Sequence, residues 1–136
     1  MVKIRDYIGS DYDDIKLNLE EGNLFDVNDT RENLEAKIKR DPESIIVSET
    51  DNKVVGNVYV NEDGWAAFIW HLAVRKEYRN KGIGSLLMKE AEEKLRKRGY
   101  KEANIFVLEN NNDVINYYKR RGYQEFGKCI SMFKKL

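Results

Sequence analysis

The sequence predicts a mixed α/β domain, a sheet covered by helices. Three features carry that expectation. Strand-like runs first follow one another and later alternate with helical stretches, which favours a mixed sheet over a fully parallel one. An apolar run over residues 65–74 leads into a strongly amphipathic helix over residues 82–99. Between them lies a short basic turn with two close glycines, Gly82 and Gly84, which lets the backbone bend sharply from strand to helix.

Residues 2–8 alternate apolar and charged side chains like a half-buried strand, and Gly9, Ser10 and Asp11 supply a turn and a helix cap. A first helix is expected over residues 11–25, where Ile15, Leu17, Leu19, Leu24 and Phe25 give apolar surface with an imperfect period. Gly22 marks its end. Asp29 and Thr30 cap a second helix with Leu34 and Ile38 four apart, and Asp41-Pro42 stops it. Residues 44–49 and 54–60, rich in isoleucine and valine, flank the turn formers Thr50-Asp51-Asn52-Lys53 as a hairpin. Asn61 to Gly64 then turns the chain into the long strand 65–74.

In the helix 82–99, the residues Ile83, Leu86, Leu87, Ala91 and Leu95 are placed on the core side. Glu90/Lys94, Glu92/Arg96 and Glu93/Lys97 read as outward i,i+4 pairs, and Gly99 as the C-terminal stop. Residues 103–107 predict a short strand, 112–121 a helix, and 123–127 and 130–135 two terminal strands.

A chain of 136 residues is expected to form one domain, residues 1–136. Lys plus Arg (24) balances Asp plus Glu (24), so no global field draws it to nucleic acid or to an anionic membrane. The single cysteine, Cys129, excludes an internal disulfide, and the start lacks a signal-peptide core, so a cytoplasmic location is expected. One histidine and one cysteine far apart are a poor metal-ligand set, and no metal is expected.

The turn has the chemistry of an anion cradle. Gly82 and Gly84 leave the backbone open, Arg79 and Lys81 bring positive charge, and Ser85 adds a hydroxyl to the first turn of a helix whose N–H groups point outward. Gly84 is followed by Ser85-Leu86-Leu87, which excludes a Walker loop; Leu87 stands where a dinucleotide fingerprint needs its third small residue. What remains is Arg79-Asn80-Lys81-Gly82-Ile83-Gly84 after a strand ending in Ala73-Val74. It resembles the acetyl-coenzyme A loop of the GNAT N-acetyltransferases. A second segment adds to the resemblance: Asn111, then Tyr118 seven residues on, then Lys119-Arg120-Arg121-Gly122-Tyr123.

The resemblance implies a sheet of about seven strands with about four helices, in which a central parallel pair splays apart. It implies acetyl-coenzyme A as the acyl donor, coenzyme A as product, and a pantetheine arm paired with strand backbone at Leu72, Ala73 and Val74. It also implies phosphate binding by residues Arg79, Asn80, Lys81, Gly82, Ile83, Gly84 and Ser85, and a cofactor contact at Asn111. The chemistry it implies is direct acyl transfer to an amine in a ternary complex, with the Tyr118 phenol, also at the cofactor, protonating the departing sulfur. The other reading of Asn111 is a turn residue in Asn110-Asn111-Asn112-Asp113, and that of Tyr118 is an aromatic closing a core.

No general base is assigned: the strand interiors carry no carboxylate, and His71, Glu109 or a loop carboxylate all stay open. The acceptor is equally open between a small amine and a peptide or protein amine. Asp26, Asp29, Glu32, Glu62 and Asp63 read as charges that solvate loops, with attraction of a cationic amine as the other reading. Monomer and homodimer are both compatible with the aromatic-rich C-terminus. Two other classes stay beside the enzyme: a coenzyme A-binding module without turnover, and a small α/β interaction protein.

Overall fold

The computed structural model describes residues 1–136. It contains strands β1 (Lys3–Asp6), β2 (Ile45–Thr50), β3 (Lys53–Glu62) and β4 (Ala67–Val74), and helices α1 (Tyr12–Glu21), α2 (Arg31–Arg40), α3 (Ile83–Lys97) and α4 (Asn112–Arg120). These fall into two compact units, Met1–Ile105 and Phe106–Leu136.

In the first unit the four strands form one antiparallel sheet in the order β1-β2-β3-β4. Asp51 and Asn52, both at positive φ, close the β2–β3 hairpin with the handedness that matches strand twist. Thr30 caps α2 by accepting from the Asn33 N–H at 3.1 Å. Side-chain alternation then divides the core. Ile45, Val47, Val54, Tyr59 and Ala73 cluster with Ile15 and Leu19 of α1 and Leu34 of α2.

Gly56 lies under α3. A Cβ at Gly56 would stand 2.6 Å from Ser48 Oγ, 3.0 Å from Leu87 Cδ1 and 3.1 Å from the Ala73 carbonyl, so the helix lies this close only over glycine. The helix buries Ile83, Leu87, Met88, Ala91 and Leu95. Leu86, expected in the core, is exposed. At about 100° per residue it lies about 120° from the centre of the stripe through residues 83, 87, 91 and 95, and Met88 is nearer.

The outward pairs of α3 also differ from the i,i+4 expectation. Lys94 pairs with Asp6 of β1, Arg96 with Glu93, and Arg98 with Asp41, Glu43 and Glu62. Arg96–Glu93 is a local i,i+3 pair, whereas the stems of Lys94 and Arg98 reach acidic groups on neighbouring elements that sequence spacing cannot show.

The strand count is lower than the expected seven. Residues 103–107 contribute one isolated parallel bridge, Asn104 to Phe68, and residues 123–136 form no ladder. Their apolar side chains are present, but a strand is defined by its partner's hydrogen bonds, and Phe126, Ile130, Met132 and Phe133 are exposed. In the second unit, α4 is capped by Asn111, whose side chain accepts from the Val114 N–H at 3.4 Å. No helix of the protein is long and apolar enough to cross a membrane.

Candidate active site

The end of β4 departs from a regular ladder. Asn57 pairs with Ala73 and Tyr59 with Trp70, so Val58 faces two residues of β4, His71 and Leu72. This is a β-bulge, and His71 sits in it at φ +52°, a left-handed conformation uncommon for histidine. Asn57 Nδ2 donates to the His71 carbonyl at 2.9 Å and so holds the bulge from the side.

Behind the bulge lies a buried polar chain. Asn18 Nδ2 donates to Asn57 Oδ1 and to the Val54 carbonyl, both at 3.2 Å. Arg75, 6% exposed, donates through Nε to Asn18 Oδ1 at 3.1 Å and through a terminal nitrogen to Asp14 and the Val54 carbonyl. The Arg75 N–H bonds the Val55 carbonyl at 2.7 Å. The chain thus ties α1, β3 and the exit of β4 together just before the glycine turn.

After Arg75 the backbone makes a 3-10 turn, Lys76–Tyr78, and then Asn80 (φ +62°) and Gly82 (φ +82°) bend it into α3. A Cβ on Gly82 would meet nothing within 4 Å, so the glycine answers a backbone requirement and leaves open space before the helix. The Leu86 N–H reaches the Gly82 carbonyl at 3.1 Å, which makes Ile83, Gly84 and Ser85 the residues whose N–H groups lie ahead of the first helical bond. The first turn of α3 carries no acidic residue. Arg79, Asn80 and Lys81 are exposed, whereas the Ile83 side chain is buried and only its backbone is available to a ligand. Arg79 folds back, its Nε donating to the Val74 carbonyl at 2.7 Å, and Lys81 Nζ lies 5.6 Å from the Tyr78 ring centroid. Leu72 and Val74 are partly buried and Ala73 is buried.

His71 has a partner that the sequence reading did not anticipate. Its Nε2 lies 2.9 Å from Asp29 Oδ2, and the Tyr59 hydroxyl donates to Asp29 Oδ1 at 3.3 Å. The Asp26 N–H donates to the same carboxylate at 2.8 Å, and the Tyr12 hydroxyl donates to the Asp29 carbonyl at 2.6 Å. Asp29 is 5% exposed, which corrects its reading as a loop-solvating charge. Burial pushes its carboxyl up, but the bonds from His71, Asp26 and Tyr59 together hold it below the usual value. Nothing in the spacing of residues 29 and 71 announces this pair; only the packing of the loop before α2 against the bulge makes it.

In the second unit, Asn111 is exposed and caps α4, and Tyr118 is partly buried. Burial pushes the Tyr118 phenol up to about 12, so it keeps its proton at neutral pH. Its ring meets those of Tyr117 and Tyr123 edge-on at 5.2 and 5.5 Å. A cleft of about 650 Å³ lined by Glu62, Trp65, Ala67, Arg98 and Tyr100 shares no residue with the glycine turn; of the predicted residues it holds only Glu62, one of the carboxylates read as able to attract a cationic amine.

The sequence profile of the acetyltransferase (GNAT) family matches residues 11–123, from the start of α1 through the glycine turn to the end of the Tyr118 segment. The chain belongs to the GNAT acetyltransferase family. An acetyltransferase of Yersinia pestis is 32% identical over 136 residues, 99% of this chain and 96% of its own length. One of Pectobacterium atrosepticum is 32% identical over 80% of this chain and 77% of its own. Among solved structures, the PaiA N-acetyltransferase of Thermoplasma acidophilum, in complex with coenzyme A, superposes with a TM-score of 0.79 at 20% identity, covering 91% of this chain and 90% of its own. Ard1 of Thermoplasma volcanium gives 0.79 at 23% identity, covering 89% and 81%. These likenesses support the GNAT fold despite the shorter sheet.

Proposed function

We propose that this GNAT acetyltransferase moves the acetyl group of acetyl-coenzyme A to a primary amine by direct attack in a ternary complex. The observation that carries the reading is the left-handed turn Asn80–Gly82, which opens the N-terminus of α3 at the exit of β4 with no acidic residue in its first turn. Backbone N–H groups and a helix dipole there suit a pyrophosphate, and the space before Gly82 leaves room for one. Arg79 and Lys81 are exposed, and on ligand binding they would exchange the Val74 carbonyl and the Tyr78 ring for phosphate oxygens.

The bulge at His71–Leu72 interrupts pairing beside Leu72, Ala73 and Val74, the backbone assigned here to the pantetheine arm. Asn111 is assigned a cofactor contact and Tyr118 the protonation of the leaving sulfur. A phenol that keeps its proton at neutral pH has the right protonation state for that donation. The family match spans both compact units, which supports treating residues 1–136 as one N-acetyltransferase domain.

The test is a calorimetric titration of acetyl-coenzyme A into the parent protein and into an Arg79→Ala, Gly82→Val double variant, followed by thiol release with an amine panel. Valine at φ +82° is strained by about 1–2 kcal/mol and deforms the turn without filling a packed site. Binding by the parent and its loss in a still-folded double variant are expected. Absence of parental binding refutes the proposal, and binding without thiol release for any amine leaves a coenzyme A-binding module.

A further inference from the structure

We propose that His71, oriented by Asp29, is the group that takes the proton from the acceptor ammonium. The inference rests on the N-acetyltransferase reading above and assigns the base that the sequence leaves open. Three observations carry it. The first is the pair itself. An ionised carboxylate only accepts hydrogen bonds, so the 2.9 Å contact places a proton on His71 Nε2, and in the neutral ring the lone pair is on Nδ1, which has no protein partner. The Asp29 side chain is 7% exposed and the His71 side chain 21%, so the carboxylate is sequestered while the ring stays within reach of a ligand.

The second is the backbone. His71 occupies a left-handed conformation at a bulge, a costly position for a non-glycine residue, and the Asn57 side chain bonds its carbonyl. That cost sets the ring against Asp29 rather than along the regular pleat. The third is location: His71 immediately precedes Leu72, Ala73 and Val74, the backbone assigned to the thioester arm. Tyr59, at a ring centroid distance of 5.0 Å, packs against the imidazole and donates to the same carboxylate.

The proton balance is complete. The ammonium gives one proton to Nδ1, and Asp29 stabilises the resulting imidazolium. The neutral nitrogen attacks the thioester carbonyl, the C–N bond forms and the C–S bond breaks. The second nitrogen proton offsets the one gained by the sulfur, and the imidazolium returns its proton to water. Charged and titratable groups around the ring are Asp29, Tyr59 and Tyr12, with Arg31 over the Tyr12 ring and Lys37 over the Tyr59 ring. Asp29 is thus the anion bonded to the imidazole, and both cations stand behind a tyrosine ring.

The test uses the parent, His71→Asn and Asp29→Asn. Asparagine tolerates the left-handed conformation, so His71→Asn removes the base with least disturbance of the bulge. Thiol release from acetyl-coenzyme A is followed across pH with primary alkylamines and dipeptides, whose amino groups are cationic in solution, and with hydroxylamine, which is neutral. With the cationic acceptors His71→Asn should lower kcat about 100-fold or more and flatten the acid side of the pH profile, and Asp29→Asn should lower it about 10-fold or more. With hydroxylamine either variant should change the rate only a few-fold, and acetyl-coenzyme A affinity should hold. Because the chain has one histidine, nitrogen NMR reads its tautomer directly, and in the neutral ring a proton on Nε2 and none on Nδ1 is expected. A proton on Nδ1 of the neutral ring, equal losses with both acceptor types, or a rise in KM with kcat unchanged overturns the proposal and leaves the acetyl-coenzyme A reading intact. No thiol release by the parent with any acceptor overturns both.

Discussion

Replacing Arg75 with methionine probes the polar chain that fixes the exit of β4. The substitution keeps most of the apolar stem and deletes a guanidinium that makes three hydrogen bonds. Their loss is unequal. The Val54 carbonyl still accepts from Asn18 Nδ2, and the Asp14 side chain, 38% exposed, regains water and keeps its bond from the Val54 N–H. Asn18 Oδ1 is left alone inside the protein, where Asn18 is fully buried, and stranding such an acceptor costs about 1–3 kcal/mol. Relief of the desolvated charge offsets part of this, so the expected net destabilisation is about 2 kcal/mol, below the roughly 3–5 kcal/mol for breaking a fully buried ion pair.

Urea unfolding measures it. With a slope of about 1.5 kcal/mol/M, the midpoint should fall by about 1.3 M. An Arg75→Lys variant separates the cause: an ammonium that keeps a donor for Asn18 Oδ1 should recover about 1 kcal/mol of the loss. A cost below about 0.5 kcal/mol for Arg75→Met, or an equal cost for Arg75→Lys, would refute the argument from the stranded amide oxygen.

Two further outcomes follow from single contacts. Gly56→Ala should destabilise by about 1–3 kcal/mol, because the new methyl meets Ser48 Oγ, Leu87 and the Ala73 carbonyl; a neutral effect in urea unfolding would mean that α3 can lift off β3 freely. Burial pushes the Lys37 amine down to about 8, with the Asp41 charge opposing, while an unfolded lysine titrates near about 10.4. Between these values the unfolded chain holds the extra proton, so the Lys37 contribution to stability rises with pH across that window. The difference between the unfolding free energies of the parent and Lys37→Met should therefore change with pH between 8 and 10 and be flat below it. Above that window Tyr7, pushed up to about 12 by burial, acts in the opposite sense in both proteins.

Much of the fold and the glycine-turn part of the candidate site were legible in the residues. Local chemistry dictated the α3 helix, the Thr30 cap and the Asp51-Asn52 turn, because each depends on a few neighbours in the chain. The glycine turn, with Arg79 and Lys81 beside a helix start, is such a local feature, and so the phosphate-binding expectation came from sequence. Strand number was less accessible: the alternating residues 123–135 have strand composition, but a ladder needs a partner edge that composition does not supply.

What only the tertiary structure decided lies between residues distant in the chain. Asp29 and His71 are 42 positions apart, and Arg75 and Asn18 are 57 apart. No periodicity links such residues, because their meeting depends on α1 and the loop before α2 folding over β3 and β4. The bulge is of the same kind: one extra residue in β4 relative to β3 turns a lone histidine on a sheet into a ring aimed at a buried carboxylate. The sequence by itself determined that a glycine turn carrying Arg79 and Lys81 opens α3, since a helix terminus is a local object. The structure decided that His71 meets Asp29 at a bulge just before Leu72, since register and packing are properties of the whole sheet.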